Sequence, residues 1–285
     1  MIKNFSPIST IPMYHHPNPP LTTPTLCGGR QCYRRRIPTR SFHIFKMVFI
    51  RPQSIQLPTT WRRFSVKRAG TTINLRVQDM TEEQVEPAMD LLSTYFTAHE
   101  PPCRCIGIRN HPAALAELQK LWRDTIRDRL SVVCVEDNDQ SSDIIGVNVL
   151  TVACKDDKEE PFKTDDKIWA KLFGAVDTVA HGADLFERYG VDKYLTAYGL
   201  VVDPAWRGMA IGKEILLARI PLCKALGIKV TATVFTAAAS QAVARKAGFE
   251  DIFEMTYEEL AKRGYVFPGV EEDTVSSKLM ALFIE

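Results

Sequence analysis

The run Tyr194-Leu195-Thr196-Ala197-Tyr198-Gly199-Leu200-Val201-Val202 constrains the fold more than any other stretch, being apolar on both faces toward its end and stopping at Asp203-Pro204. It has the length of a strand and is too uniformly apolar for a sheet edge, so it belongs mid-sheet with cover on both faces. The turn that follows, Arg207-Gly208-Met209-Ala210-Ile211-Gly212, opens a helical stretch over residues 210–226. There Ile211, Ile215, Leu222 and Leu226 point inward, Pro221 marks a kink and Gly227 the stop. A buried strand that enters a helix this way presents unpaired backbone N–H groups to one point, and the helix dipole adds partial positive charge. Gly208 and Gly212 let the main chain approach a pyrophosphate with no Cβ in the way. An ordinary helix entry has the same spacing, so the turn alone leaves phosphate binding and plain structure both open.

Regular punctuation surrounds this unit. Residues 72–77 alternate as a half-buried strand, and Thr81-Glu82-Glu83-Gln84 is a capping box for a helix running toward His99. Asn110 is the expected cap of a second helix, with Pro112 in its first turn and Leu115, Leu118, Trp122 and Ile126 on one face. Residues 131–135 and 144–152 read as a hairpin, 155–166 as a charged loop and 167–189 as a helical insertion. Residues 228–234 form a β-branched strand and 240–247 a short helix ended by Gly248, followed by closing strands at 251–255 and 279–284. The order describes one mixed domain over residues 71–285.

Charge divides the chain. Residues 1–78 hold 13 Lys or Arg and no Asp or Glu, leaving 23 basic against 34 acidic residues from position 79 onward. Residues 1–46, rich in Pro, Thr and His, carry no period and are expected to be a disordered basic extension, with 47–70 a basic linker. The extension reads as a transit peptide, as a nucleic-acid or membrane tail through Arg34-Arg35-Arg36, or as a segment not made because translation starts at Met47; the last is preferred. No apolar stretch reaches the roughly 20 residues of a membrane span. Seven scattered cysteines fit reduced thiols, and Cys103-Arg104-Cys105 is too tightly spaced for a zinc pair, so no metal is expected. A cytoplasmic monomer with no nucleic-acid or membrane partner is the expectation, with mitochondrial targeting as the alternative.

The strand, Val202-Asp203-Pro204 and the Arg207–Gly212 turn resemble motif A of the GNAT superfamily of N-acetyltransferases. The segment Ser240-Gln241-Ala242-Val243-Ala244-Arg245-Lys246-Ala247-Gly248-Phe249 resembles its motif B, and the two stand in the expected order. Tyr95-Phe96-Thr97-Ala98-His99-Glu100-Pro101 narrows the resemblance to the insect arylalkylamine N-acetyltransferases and their relatives. It departs from them at Ala210, where motif A usually has Gly, and at Pro102, where an aliphatic residue is common.

The resemblance implies an α+β GNAT fold, a mixed sheet of about six to seven strands splayed at the cofactor site and flanked by helices. It implies acetyl-CoA as co-substrate, held by the backbone of Leu200, Val201 and Val202 and by Arg207, Gly208, Met209, Ala210, Ile211 and Gly212. The acceptor would be the amine of a small arylalkylamine, such as a biogenic monoamine. An ammonium has no lone pair, so a base must take its proton. Glu100, just past an apolar helix end and followed by two prolines, is the candidate, with burial raising its pKa. Ser240 would protonate the leaving thiolate, and Thr236 stands where the family often has a second serine. Each also has a plain structural reading, Ser240 as a helix cap and Thr236 as a loop hydroxyl, and Tyr198 is an alternative donor. Acetylation of protein lysines or N-termini, and CoA binding without turnover, are the alternative functions.

Overall fold

The structure, a computed structural model, describes residues 49–138, 143–157 and 164–285; the expected basic extension 1–46 lies outside them. β1 (Thr60–Arg68) and β2 (Thr71–Asp79) form a hairpin, and β3 (Val132–Glu136), β4 (Gly146–Cys154) and β5 (Lys193–Val202) continue antiparallel. β6 (Val230–Phe235) lies parallel to β5, and β7 (Glu250–Thr256) and β8 (Ser276–Phe283) complete an eight-stranded sheet in the order β1-β2-β3-β4-β5-β6-β8-β7.

The strand beyond the expected six or seven is β1, inside the segment read as a linker. Phe64 and Val66 face inward between Arg63, Ser65 and Lys67, but a bulge between Thr60 and Arg62 puts Trp61 out of that phase. A broken period among cations conceals a strand. Upstream, Arg51 grips both carboxylate oxygens of buried Asp79 at 2.8 and 2.7 Å, and Trp61 Nε1 and the Thr59 N–H donate to the same group. The folded unit therefore includes residue 51.

Two layers of helices cover the sheet. α1 (Val85–Leu91) runs through a π-helical stretch, Leu92–Phe96, into α2 (Thr97–His99), and α3 (Pro101–Cys105) and α4 (Pro112–Ile126) follow. Gln84 Oε1 accepts the Thr81 N–H at 3.1 Å, as a capping box requires. The second helix is not capped by Asn110, which ends a 3-10 turn; His111 holds the cap position without a side-chain bond. The expected insertion is two helices, α5 (Lys167–Ala180) and α6 (Leu185–Tyr189), because Asp166 and Asp184 each cap a separate start. α7 (Ile211–Leu226), α8 (Ala238–Lys246) and α9 (Tyr257–Lys262) are the α-helices that follow β5 among the described residues.

β4 shows why the middle strands read as apolar throughout. Val147 and Val149 pack with Leu92, Trp122 and Trp169 on one face, while Leu150 and Val152 pack with Ile211, Ile215 and Leu222 of α7 on the other. Each of these four β4 side chains is fully buried, worth about 1.5–3 kcal/mol, and together they fix β4, the strand against which β5 pairs.

Candidate active site

Two irregularities in β5 shape the site. Tyr198 is an extra residue against β4: Val149 stands opposite Gly199 and Leu150 opposite Ala197. Trp122 Nε1 donates to Tyr198 O at 2.9 Å, and Asn148 Nδ2 to Gly199 O at 2.7 Å. On its other side β5 meets β6 at one bridge, Leu195 opposite Thr231, and the strands then part. The sheet is splayed where the sequence placed the cofactor.

Strand alternation sorts the three residues expected at that opening. The Asp203 N–H bonds to Ile145 O (2.9 Å), and the Leu150 N–H turns the other way, to Ser131 Oγ (3.2 Å). Odd-numbered residues of β4 thus face β5, so Val201 pairs with Val147 while the backbone groups of Leu200 and Val202 face the open side. Arg207 Nε reaches back to Val202 O at 3.3 Å.

Past β5, Asp203 caps a 3-10 turn (Pro204–Trp206), and its Oδ1 accepts the Ala205 N–H at 2.7 Å. Ala210 is not the first helical residue but the cap of α7, in the left-handed region at φ 58° and ψ 15°. The first N–H groups to bond back are those of Lys213 and Glu214, both to Ala210 O (3.0 and 3.2 Å), so the N–H groups of Ile211 and Gly212 have no intrahelical acceptor. Gly208, at φ 80°, has open space where a Cβ would stand. The turn fits a pyrophosphate: free donors at a helix start, open backbone and a nearby arginine.

Glu100 ends α2 and caps α3, held extended by Pro101 at the first helical position. Its Oε2 accepts the Cys103 N–H at 2.6 Å and its Oε1 the Thr236 hydroxyl at 2.5 Å. Thr236 follows directly on β6, so the carboxylate sits beside one wall of the opening; four residues earlier, Phe96 comes within 3.9 Å of where a Cβ on Gly199 would stand. Burial pushes the Glu100 carboxyl above its ordinary pKa, against the pull of the Thr236 and Cys103 hydrogen bonds. Some of its surface still meets solvent. Burial and then the Glu100 charge push the Cys103 thiol well up, and the Tyr257 hydroxyl rises for the same two reasons. Tyr257 OH donates to Thr236 O at 2.7 Å, bracing the residue that holds Glu100.

Thr236 is therefore not a bare loop hydroxyl. Ser240 is not the helix cap either: α8 is capped by Ala237, and Ser240 stands third in it, donating to Ala237 O at 2.8 Å. Burial raises the Tyr198 hydroxyl, with the Asp177 charge second. Sequence reading missed Asn148, Trp122, Cys103 and Tyr257. Asn148 had a signal, an amide in an otherwise apolar strand; Trp122 read only as part of a helix face, Cys103 only as half of a pair too close for zinc, and Tyr257 carried no signal.

The acetyltransferase (GNAT) family matches residues 73–249. The chain belongs to that family. As a GNAT acetyltransferase it is an acetyl-CoA-dependent N-acetyltransferase. The crystal structure of a protein assigned as arylalkylamine N-acetyltransferase 7 of the yellow fever mosquito Aedes aegypti is 37% identical, covers 83% of this chain and 100% of its own, and superposes with a TM-score of 0.79. Arylalkylamine N-acetyltransferase 2 of the same mosquito shares the GNAT fold at 21% identity, covering 74% of this chain and 99% of its own, TM-score 0.64. So does a polyamine N-acetyltransferase of Drosophila melanogaster, at 15% identity, 74% and 100% coverage and TM-score 0.58. No protein of curated function matches the chain by sequence.

Proposed function

We propose that this acetyltransferase moves the acetyl group of acetyl-CoA to the amine of a small arylalkylamine or related amine, with Glu100 as the base. The observation that carries this reading is the Glu100 to Thr236 hydrogen bond, which joins residues 136 apart in sequence and holds a partly buried carboxylate beside the splay of β5 and β6. The likeness to a mosquito protein assigned as an arylalkylamine acetyltransferase supports the acceptor class.

In this reading the pyrophosphate rests on the N–H groups of residues 208–212 near Arg207, and the pantetheine arm pairs with the open backbone of Leu200 and Val202. The amine nitrogen bonds to the acyl carbon as its proton passes to Glu100, directly or through a water. The carbonyl π pair moves to oxygen and returns as the C–S bond breaks, and sulfur leaves with that bond's electrons. Ser240 is the proposed relay to the thiolate: its hydroxyl turns from Ala237 O and passes a proton to sulfur as it gains the second proton that the acylated nitrogen sheds, while the proton on Glu100 leaves to solvent. Thr236 acts on the base, since its hydroxyl is committed to Glu100.

Incubation with acetyl-CoA and a panel of amines and peptides, following free thiol, tests the proposal. Arylalkylamines should give release that Glu100→Gln cuts by about 10²–10⁴-fold, the usual worth of a positioned base. Release with peptides alone would reassign the acceptor, and none with any acceptor would leave a CoA-binding module.

A further inference from the structure

Arg219 of α7 is a cation in the core, 1% exposed, with no carboxylate among its hydrogen-bond partners. Its Nε donates to Asn148 Oδ1 at 2.9 Å, and its Nη1 to Thr233 Oγ1 and Thr231 Oγ1 at 2.8 and 3.3 Å. Those acceptors lie on β4 and β6, so the guanidinium reaches across β5 beside the place where β5 and β6 part. Nη2 has no partner among the described residues. Burial pulls the pKa down to about 10, which leaves the group charged at neutral pH. Tying two strands together through neutral acceptors does not need a charge, and the one further partner of this buried cation among the described residues is the Phe249 ring, 5.8 Å from the guanidinium carbon, which offsets only part of the cost of desolvating it.

Asn148 carries the effect onward. Arginine has no acceptor, so Asn148 turns its oxygen to Arg219 and its Nδ2 away, onto Gly199 O. The Gly199 carbonyl and the Leu200 N–H belong to one planar trans peptide and point in opposite directions. Drawing the carbonyl toward Asn148 on β4 aims the Leu200 N–H at the open side of β5. A donor on the carbonyl also polarises the peptide and strengthens its N–H.

We propose that Arg219, acting through Asn148, orients the Gly199–Leu200 peptide so that the Leu200 N–H donates a hydrogen bond to the acyl oxygen of a thioester lying between β5 and β6. Arg219 and Asn148 are positioning residues. The inference rests on the acetyl-transfer reading above for the identity of the thioester. When the carbonyl π pair moves to oxygen, the Leu200 N–H holds the developing charge until the C–S bond breaks.

Asn148→Asp isolates the effect: it keeps an acceptor for Arg219, compensates its charge and sets an oxygen against Gly199 O in place of a donor. The expected result is a kcat for thiol release lower by about 10-fold or more, an oxyanion-hole donor being worth about 10²–10³. CoA affinity should hold, because residues 207–212 are untouched. Arg219→Met should lower kcat in the same way and Arg219→Lys restore part of it. A second readout needs no turnover: the infrared carbonyl band of isotope-labelled acetyl-CoA should lie lower on the wild type than in solution, and shift back in Asn148→Asp. A wild-type kcat and band in that variant would overturn the proposal, as would a kcat loss that merely parallels lost CoA binding. Should Asn148→Asp not fold, Asn148→Ser is read the same way. A wild type silent toward every amine sinks the amine-acetylation reading alone, and the band still judges the peptide.

Discussion

The Glu100 carboxyl has two opposing influences on its proton, and both have measurable consequences. Burial raises its pKa, so the proposed base is lost as pH falls through that raised value, and kcat/KM should climb with pH along a limb above the ordinary carboxylate range. Thr236 donates to the charged form and pulls the pKa down. Thr236→Val should therefore move the limb to higher pH, while Thr236→Ser should leave it in place; a limb unmoved by Val would remove Thr236 from the base. Stability carries the opposite sign from activity. Between the ordinary and the raised pKa the folded state binds more protons than the unfolded one, so stability falls as pH rises through that window. Glu100→Gln removes that cost, and in thermal melts it should gain more over the wild type at pH 8 than at pH 5, the reverse of its effect on turnover.

Local backbone conformation shapes the turn into α7 that is proposed to take the pyrophosphate. Ala210, which stands where the resemblance has Gly, holds the cap of α7 in the left-handed region that glycine adopts most readily. The methyl has a cost, since a Cβ at φ 58° crowds the following carbonyl by about 1–2 kcal/mol. Ala210→Gly should thus raise stability by about 1 kcal/mol, some 2–4 °C in Tm for a domain of this size, with CoA affinity unchanged by calorimetry. An unchanged or lower Tm would show that packing around the methyl outweighs the strain. The bulge at Tyr198 is the other local device. No single-residue signal announced it, because Gly199 in an apolar run reads equally as close packing, here against Trp122 and Leu92.

At the scale of the whole molecule, the folded unit begins earlier than its punctuation shows. A chain started at residue 71 lacks β1 together with Arg51, Thr59 and Trp61, which all donate to Asp79, and it should fail to give a cooperative unfolding transition. A chain started at residue 47 keeps them all and should give one. Arg51→Ala should cost about 3–5 kcal/mol in urea unfolding, the usual result of stranding one partner of a buried pair. A loss under about 1 kcal/mol, the level of an exposed pair, would place Arg51 at the surface. Much was legible without any tertiary information. Apolar period and punctuation located the strands from β2 to β8, the turn into α7, and Glu100 at a helix end braced by prolines, because these signals are local and each residue carries its own part. Only the folded chain decided the rest. The approach of Thr236 to Glu100, the sorting of Leu200 and Val202 from Val201, and the reach of Arg219 through Asn148 to Gly199 O all join residues far apart in sequence. Such contacts depend on register, strand twist and the packing of α7 on the sheet, and those are set by many side chains acting together rather than by the residues that make the contact.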